Sequence, residues 1–565
     1  MPYMKSKNII SSVDIRQSSS PEKTDDVTSR LGGVSTATSD SAGDTPQLGV
    51  LKEKHLSVYP IVLSLSLSFS GFIFGWDIGT IGGVVSLPSF QNHFGTVLNV
   101  DGTRSFTDLH TGVIISIFNI GCAIGGLTLA KIGDWKGRKI GTDVSVILYL
   151  IGTIIQLSRD NSWVQFLIGR IICGLGIGSV TVLVPMFLSE IAPTNIRGAM
   201  VVLYQLIVTL GIVSGNIVNY CCFHLTEDPN SWMIPTGLGL LWGVLVLVGV
   251  QFIPESAPYL ASVKLELEKA RISFAKMNGV SVDDKLTTDF IEEMAFKYEK
   301  NLQETSVNRR SNFEFITGDP KLGLRLFVGM MVMAFQQLSG INYFFYYGTM
   351  LFKNAGMADP YIASIILSTV NFFSSFAGIY LVEKLGRKTC LLYGSISMFA
   401  CMMVYASIGA FVPANSGSSI GMIAVTCVYI MTFAATLGPV TFVLVSELFP
   451  MRTKATSMAT CTSVNWLMNF TIALLTPLIT SKIGFCLGYV FAGCLLVDAV
   501  FTYFLIPETK NKNESEIDAI YSNNHTGNSD AAGEEYMKEV NDNIDPYTRV
   551  PGEMRNRVSN GKPSM

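Results

Sequence analysis

Twelve apolar stretches, each close to the length of a membrane crossing, constrain this chain more than any other feature. They run over 57–86, 109–130, 141–158, 162–189, 199–222, 233–253, 322–352, 360–381, 388–412, 419–446, 456–481 and 484–506. A crossing helix needs about 20 largely apolar residues. The hydrocarbon core offers the backbone no water, so each stretch must satisfy its own hydrogen bonds as a helix. Composition agrees, with 49% of 565 residues apolar and 15% charged, against about 25% charged in soluble proteins. A net charge of -3 supplies no basic field for nucleic acid. The expected fold class is an all-α membrane protein with the lipid bilayer as its main partner.

Basic residues orient the spans. The short loops after spans 2, 4, 8 and 10 hold Lys131, Lys136, Arg138, Lys139, Arg197, Lys384, Arg387, Lys388, Arg452 and Lys454, while the other side holds Arg104, Arg159, Lys353 and Lys482. The richer side is expected in the cytoplasm, together with both termini. No compact apolar leader opens residues 1–50. The charged segment 254–321 divides the spans six and six, and helical periodicity over 265–277 predicts short amphipathic helices there. The expected organisation is a disordered tail at 1–56, a six-helix half at 57–253, the linker 254–321, a second half at 322–506 and a tail at 507–565.

The halves echo each other. Gly-Arg-Lys occurs at 137–139 and 386–388, Ser-Glu at 189–190 and 446–447, and Pro-Glu-Ser at 254–256 against Pro-Glu-Thr at 507–509. Three pairs at nearly one spacing indicate a duplicated six-span unit, and parallel repeats around a central site are a transporter architecture. No phosphate-binding G-x-x-x-x-G-K-[ST] sequence is present, and Gly174, Gly176 and Gly178 lie inside an apolar run rather than after a strand. The ten cysteines lie in or beside apolar runs without C-x-x-C spacing, so no metal or cofactor is implied.

Polar residues inside the runs carry the chemistry. In span 1, Gly71, Gly75, Gly79 and Gly83 form a smooth stripe for a close neighbour, and Asp77 lies on the opposite side. An ionisable residue at that depth calls for a partner, and Arg170 in span 4 is the obvious one. Span 7 contains Gln336, Gln337, Asn342, Tyr343, Tyr346 and Tyr347 around Ser339-Gly340. On a straight helix Gln336, Tyr343 and Tyr347 share a face that excludes Asn342 and Tyr346, so a break at Ser339-Gly340 is expected to turn both sets towards one cavity. Amides that both donate and accept, beside aromatic rings, suit a neutral polyhydroxy ligand. Gln205, Asn371, Asn465 and Asn469 extend the amide theme to spans 5, 8 and 11.

Gly75-Trp76-Asp77, Gly-Asp-Trp-Lys-Gly-Arg-Lys at 133–139, Pro-Glu-Ser at 254–256, Gln-Gln-Leu-Ser-Gly-Ile-Asn at 336–342 and Pro-Glu-Thr-Lys at 507–510 resemble the sugar porter family of the major facilitator superfamily, and within it fungal hexose transporters. The resemblance implies a monomeric plasma-membrane hexose carrier working by alternating access, not an enzyme. It implies sugar contacts from Gln205, Gln336, Gln337, Asn342, Asn371 and Asn469, with Phe442 as an aromatic wall where many relatives carry Trp or Tyr. It also implies a cytoplasmic gate of Asp134, Arg138, Glu190, Arg197 and Glu255 in the first half, and of Glu383, Arg387, Glu447, Arg452 and Glu508 in the second. The family's usual Pro-Glu-Ser-Pro-Arg reads Pro254-Glu255-Ser256-Ala257-Pro258 here, without its arginine. Asp77 and Arg170 match a proton-coupling pair that fungal facilitators also keep. The resemblance leaves proton symport through Asp77 as the alternative to facilitated diffusion, and a non-transporting sensor as a further one. Asp498 in span 12 matches no site of the family.

Overall fold

The computed structural model describes residues 58–158, 162–191, 197–225, 228–264, 266–294, 314–357, 359–413, 415–450, 453–512 and 514–522. Eleven helical stretches among them have the length and apolarity of a crossing, and the longest, Lys454–Leu505, is two helices joined by a turn at Gly484–Cys486. All twelve expected spans are therefore present. Spans 2 to 6 are Asp108–Thr128, Arg138–Leu157, Trp163–Ile191, Arg197–Leu225 and Met233–Gln251. Spans 8, 9, 11 and 12 are Pro360–Leu385, Arg387–Phe411, Lys454–Ile483 and Leu487–Leu505. The other three are broken. Span 1 is Val58–Ser68 with Ser70–Ser86, span 7 is Leu322–Leu338 with Ile341–Asn354, and span 10 is Ser416–Ala435 with Leu437–Leu448. Only the break in span 7 is legible in sequence.

Glycine sets the closest contacts. A methyl group at Gly75 would lie 1.8 Å from Val208 O, and one at Gly79 would lie 2.4 Å from Ile212 O, so the span 1 stripe lets the backbones of spans 1 and 5 touch. In span 4, Gly174 and Gly178 press on span 2 at Phe118 O and Cys122 O, while Gly176 meets Ser145 O of span 3. These glycines are packing surfaces on two sides of a central helix.

The duplication is visible in the packing. Within the first half, span 4 packs on spans 2 and 3, span 3 on span 6, and span 1 on span 5; within the second, span 10 packs on spans 8 and 9, span 9 on span 12, and span 7 on span 11. Between the halves span 2 meets span 11, span 5 meets span 8, and span 1 meets the second segment of span 7. A two-fold operation that exchanges the halves converts the first of these contacts into the second. That is the arrangement a repeated six-helix unit produces.

Several contacts between the halves lie near mid-span or at the end opposite the basic loops. Ser86 Oγ is 3.0 Å from Thr349 Oγ1, Tyr361 donates to Gly83 O at 3.3 Å, and Gly112 abuts Leu474 O and Pro477. At the basic end, no described ion pair joins one half to the other.

Outside the spans, a short helix at Pro88–Phe94 and a hairpin of Val97–Leu98 with Arg104–Ser105 build an unforeseen cap after span 1. Its Phe90 and Phe94 rings pack on Trp232 at 5.7 and 5.1 Å. The linker contains the expected helix, Leu267–Asn278. The start of the carboxyl-terminal tail is helical. Helix Glu514–Ser522 docks on span 7, where buried Arg325 sits 2.7 Å from Asp518 and 4.7 Å from the Tyr521 ring centre. Residues 1–57, Asn513 and residues 523–565 lie outside the described residues.

Candidate functional site

The break in span 7 creates the site. Gly340 adopts φ 88, a conformation that disfavours side chains, and a Cβ there would lie 2.7 Å from Phe491. Ser339 turns its hydroxyl onto Gln336 O at 2.6 Å, and Tyr429 of span 10 donates to Ser339 O at 2.7 Å, so the interrupted backbone remains hydrogen-bonded.

Around this kink four amides join into one chain. Asn465 donates to Gln336 Oε1 at 2.8 Å and accepts from Gln337 Nε2 at 2.9 Å; Asn342 donates to Gln337 Oε1 at 2.7 Å. Gln336 Nε2 reaches Gly438 O at 3.0 Å, anchoring the chain to the break in span 10. Phe442, one turn beyond Gly438 and therefore on the same face, is 43% exposed. The break brings Asn342 and Tyr346 to the amide side, as expected for those two. Tyr343 departs from the expectation: it is fully buried and packs on Tyr405 and Phe491 inside the second half. Tyr347 donates to Ala473 O of span 11.

Asn469 donates to Tyr346 Oη at 3.4 Å and accepts from Asn119 Nδ2 at 3.4 Å. This second, looser link crosses from span 11 to span 2 and so ties the site to the other half. Asn119 escaped sequence reading, although a lone Asn in an apolar run was a usable signal. Asn465, read earlier only as part of the amide theme, is the hub. Asn371 is buried on span 8, with no side-chain hydrogen bond among the described residues. Gln205 is exposed on span 5, on the helix face of buried Thr209 and Asn216.

Asp77 and Arg170 pair as expected. Arg170 Nη1 lies 2.6 and 2.8 Å from the two carboxylate oxygens, and its guanidinium covers the Phe118 ring at 4.6 Å. A cavity of about 20 Å³, lined by Asp77, Thr80, Tyr149, Thr153, Gln156 and Arg170, adjoins the pair. It is large enough for about one water.

At the basic end the two halves repeat one construction. Arg138 forks onto Glu190, with Nε–Oε2 at 3.1 Å and Nη2–Oε1 at 3.0 Å, and also reaches Asp134 at 2.9 Å. Arg387 forks onto Glu447 at 3.1 and 2.6 Å. Glu255 accepts the Arg138 N–H at 2.8 Å, and Glu508 accepts the Arg387 N–H at 2.9 Å. Each glutamate thus caps the first turn of a span, where a negative charge is favoured. Like Glu508, Glu255 takes backbone N–H groups as its partners. Burial raises its carboxyl above the ordinary value, while the Ser256, Lys139 and Arg138 N–H groups pull it down. Arg138 is buried and Glu190 largely so, which makes this a mostly dry ion pair. Glu383 is exposed and has no described ion pair with Arg387. Arg452 and the Arg197 side chain lie outside the described residues. Asp498 accepts from Ser395 at 2.6 Å, within the contact of spans 9 and 12.

The sugar (and other) transporter family matches residues 63–521. The chain belongs to this family. Among similar proteins, hexose transporter HXT14 of Saccharomyces cerevisiae is 53% identical over 82% of this chain and 88% of its own length. The high-affinity hexose transporter HXT6 of the same yeast is 43% identical over 81% of each chain. A low-affinity glucose transporter of Kluyveromyces lactis is 41% identical over 82% of this chain and 83% of its own. The fold is shared with the xylose transporter XylE from E. coli in a partially occluded inward-open conformation, with TM-score 0.67 and 23% identity over 81% of this chain and 100% of that one. The family member described here is accordingly a multi-pass membrane protein of the major facilitator fold.

Proposed function

We propose that this chain carries hexoses across the plasma membrane by alternating access, with facilitated diffusion as the mode. The observation that carries this reading is the amide chain Gln336–Asn465–Gln337–Asn342 at the kink of span 7. Amide groups hydrogen-bond hydroxyls without demanding charge, and ring faces cover the apolar side of a sugar. Gln205, Asn371, Asn469 and Phe442 complete the proposed site from spans 5, 8, 11 and 10. The names of the yeast relatives support a hexose as passenger.

With the basic loops in the cytoplasm, the contacts between the halves fall at mid-span and on the extracellular side, and the state described faces inward. The ion pairs of Arg138 and Arg387 then rigidify the inner ends of each half. Both termini are cytoplasmic, and a single chain suffices for function.

The Asp77–Arg170 pair favours a second reading as a proton symporter, because a buried carboxylate beside a water-sized cavity is a group that could load a proton. Facilitated diffusion is preferred, since in this state both carboxylate oxygens are held by the guanidinium.

Uptake of labelled glucose, galactose and fructose in cells lacking their own hexose carriers tests the reading. Saturable, stereoselective hexose uptake, weakened by Asn342→Ala, is expected. No hexose uptake from protein that reaches the surface would overturn it.

A further inference from the structure

At the end of the molecule opposite the basic loops, one described ion pair joins the halves. His224 Nε2, at the end of span 5, lies 2.6 Å from Asp359 Oδ2, at the start of span 8. The other oxygen of Asp359 accepts the Tyr361 N–H at 3.1 Å and caps span 8, so the carboxylate is held in place before it meets the imidazole. Next to the pair, Phe223 stacks on Tyr361 at 4.7 Å with the rings 28° apart, and the Tyr361 hydroxyl reaches Gly83 O of span 1. Three spans from two halves therefore converge on this one contact.

We infer that His224 and Asp359 form an outer latch, a positioning pair that holds this end closed and must part in every cycle. The inference takes its cycle from the transport reading above, and its geometry stands without it. Spans 5 and 8 belong to different halves, so any motion that opens this end must separate the two side chains. Imidazole is the side chain that gains its charge between about pH 5 and pH 8. A protonated His224 binds the carboxylate as an ion pair, and a neutral one binds it only through a hydrogen bond. Asp359 of span 8 and Tyr220 of its own span are the titratable groups described against His224, and Tyr361 lies against the neighbouring Phe223 ring. Lys353 at the end of span 7 and Asp228 beyond span 5 stand at the same end without a described contact to it. The latch is partly exposed, the imidazole at 38% and the carboxylate at 19%, so external protons have access to it.

Acidifying the medium from about pH 7.5 to about pH 5 should lower the maximal uptake rate about two- to five-fold with little change in KM, the range of a partly exposed ion pair. The sign opposes that of proton symport, in which acid accelerates uptake. His224→Gln retains a hydrogen-bonding side chain without titrating, and Asp359→Asn retains the cap of span 8 without the charge. Both variants should flatten the profile at normal surface expression. A second measurement needs no sugar. In Ser86→Cys protein the new thiol lies at the closed contact with Thr349. With its rate taken relative to that of the exposed native Cys486 at each pH, which cancels the intrinsic loss of thiolate in acid, an impermeant maleimide should label it faster at neutral than at acid pH, and His224→Gln should remove that difference. PH profiles and labelling rates that are the same with and without His224→Gln would overturn the latch. Absence of hexose uptake with the His224-dependent difference in relative labelling intact would overturn the transport reading alone.

Discussion

Asn465 of span 11 donates to Gln336 Oε1 at 2.8 Å while accepting from Gln337 Nε2 at 2.9 Å, so one side chain spans two adjacent amides of span 7. Removing the hub should therefore hurt more than removing a member. Asn342→Ala and Gln336→Ala should each weaken hexose affinity about five-fold, as loss of a hydrogen bond worth about 1 kcal/mol does. Asn465→Ala should weaken it further, because it leaves both glutamines short of a partner. KM for uptake, normalised to surface protein, checks the order.

The kink itself is testable through Gly340. Its φ of 88 and the Phe491 ring beneath it leave no room for a methyl group. Gly340→Ala should lose at least about 1–2 kcal/mol from the backbone term alone. The measurable result is a lower melting temperature in detergent and less protein at the surface. Gly493→Ala, where a Cβ would meet nothing, should leave both unchanged.

The paired forks at the basic end should govern rate rather than affinity. Arg138→Glu and Arg387→Glu place like charges against Glu190 and Glu447, and should lower maximal uptake several-fold while KM moves little. The exchanged pair Arg138→Glu with Glu190→Arg should recover part of the rate. A change confined to KM would place these residues in the sugar site instead.

Phe442 carries no hydroxyl or indole N–H, so it offers the sugar ring contact alone. Phe442→Tyr or Phe442→Trp should change the ratio of glucose to galactose uptake more than the total. Competition between the two labelled sugars reads this directly.

For coupling, Asp77→Asn leaves an acceptor oxygen for Arg170 but no exchangeable charge. Facilitated diffusion predicts that equilibrative exchange survives this change, and that a protonophore leaves the steady level of a non-metabolised hexose unaltered. Accumulation above the external level that is lost with either treatment would establish symport.

Hydropathy alone determined the number and approximate bounds of the spans, because a helix in lipid must be apolar along its whole length and the signal is local. The duplication was equally legible, since three short motifs repeat at nearly one spacing. Gly340 announced the kink in span 7, as glycine beside serine in an apolar helix weakens the i to i−4 ladder. Asp77 found Arg170 because two buried opposite charges have few alternatives in hydrocarbon.

Other features were decided only by packing. Tyr343 and Asn342 are neighbours in sequence, yet one turns into the second half and the other into the site, and the direction depends on how far the kink rotates the second helical segment. Asn465 became the hub because span 11 lies against span 7 at that height. Glu255 and Glu508 cap spans 3 and 9 through backbone N–H groups, which carry no sequence signal at all. The outer contact of His224 with Asp359 likewise joins residues far apart in the chain. Local patterns specify which segments enter the membrane, and the meeting of the two halves specifies which of their polar groups face one another.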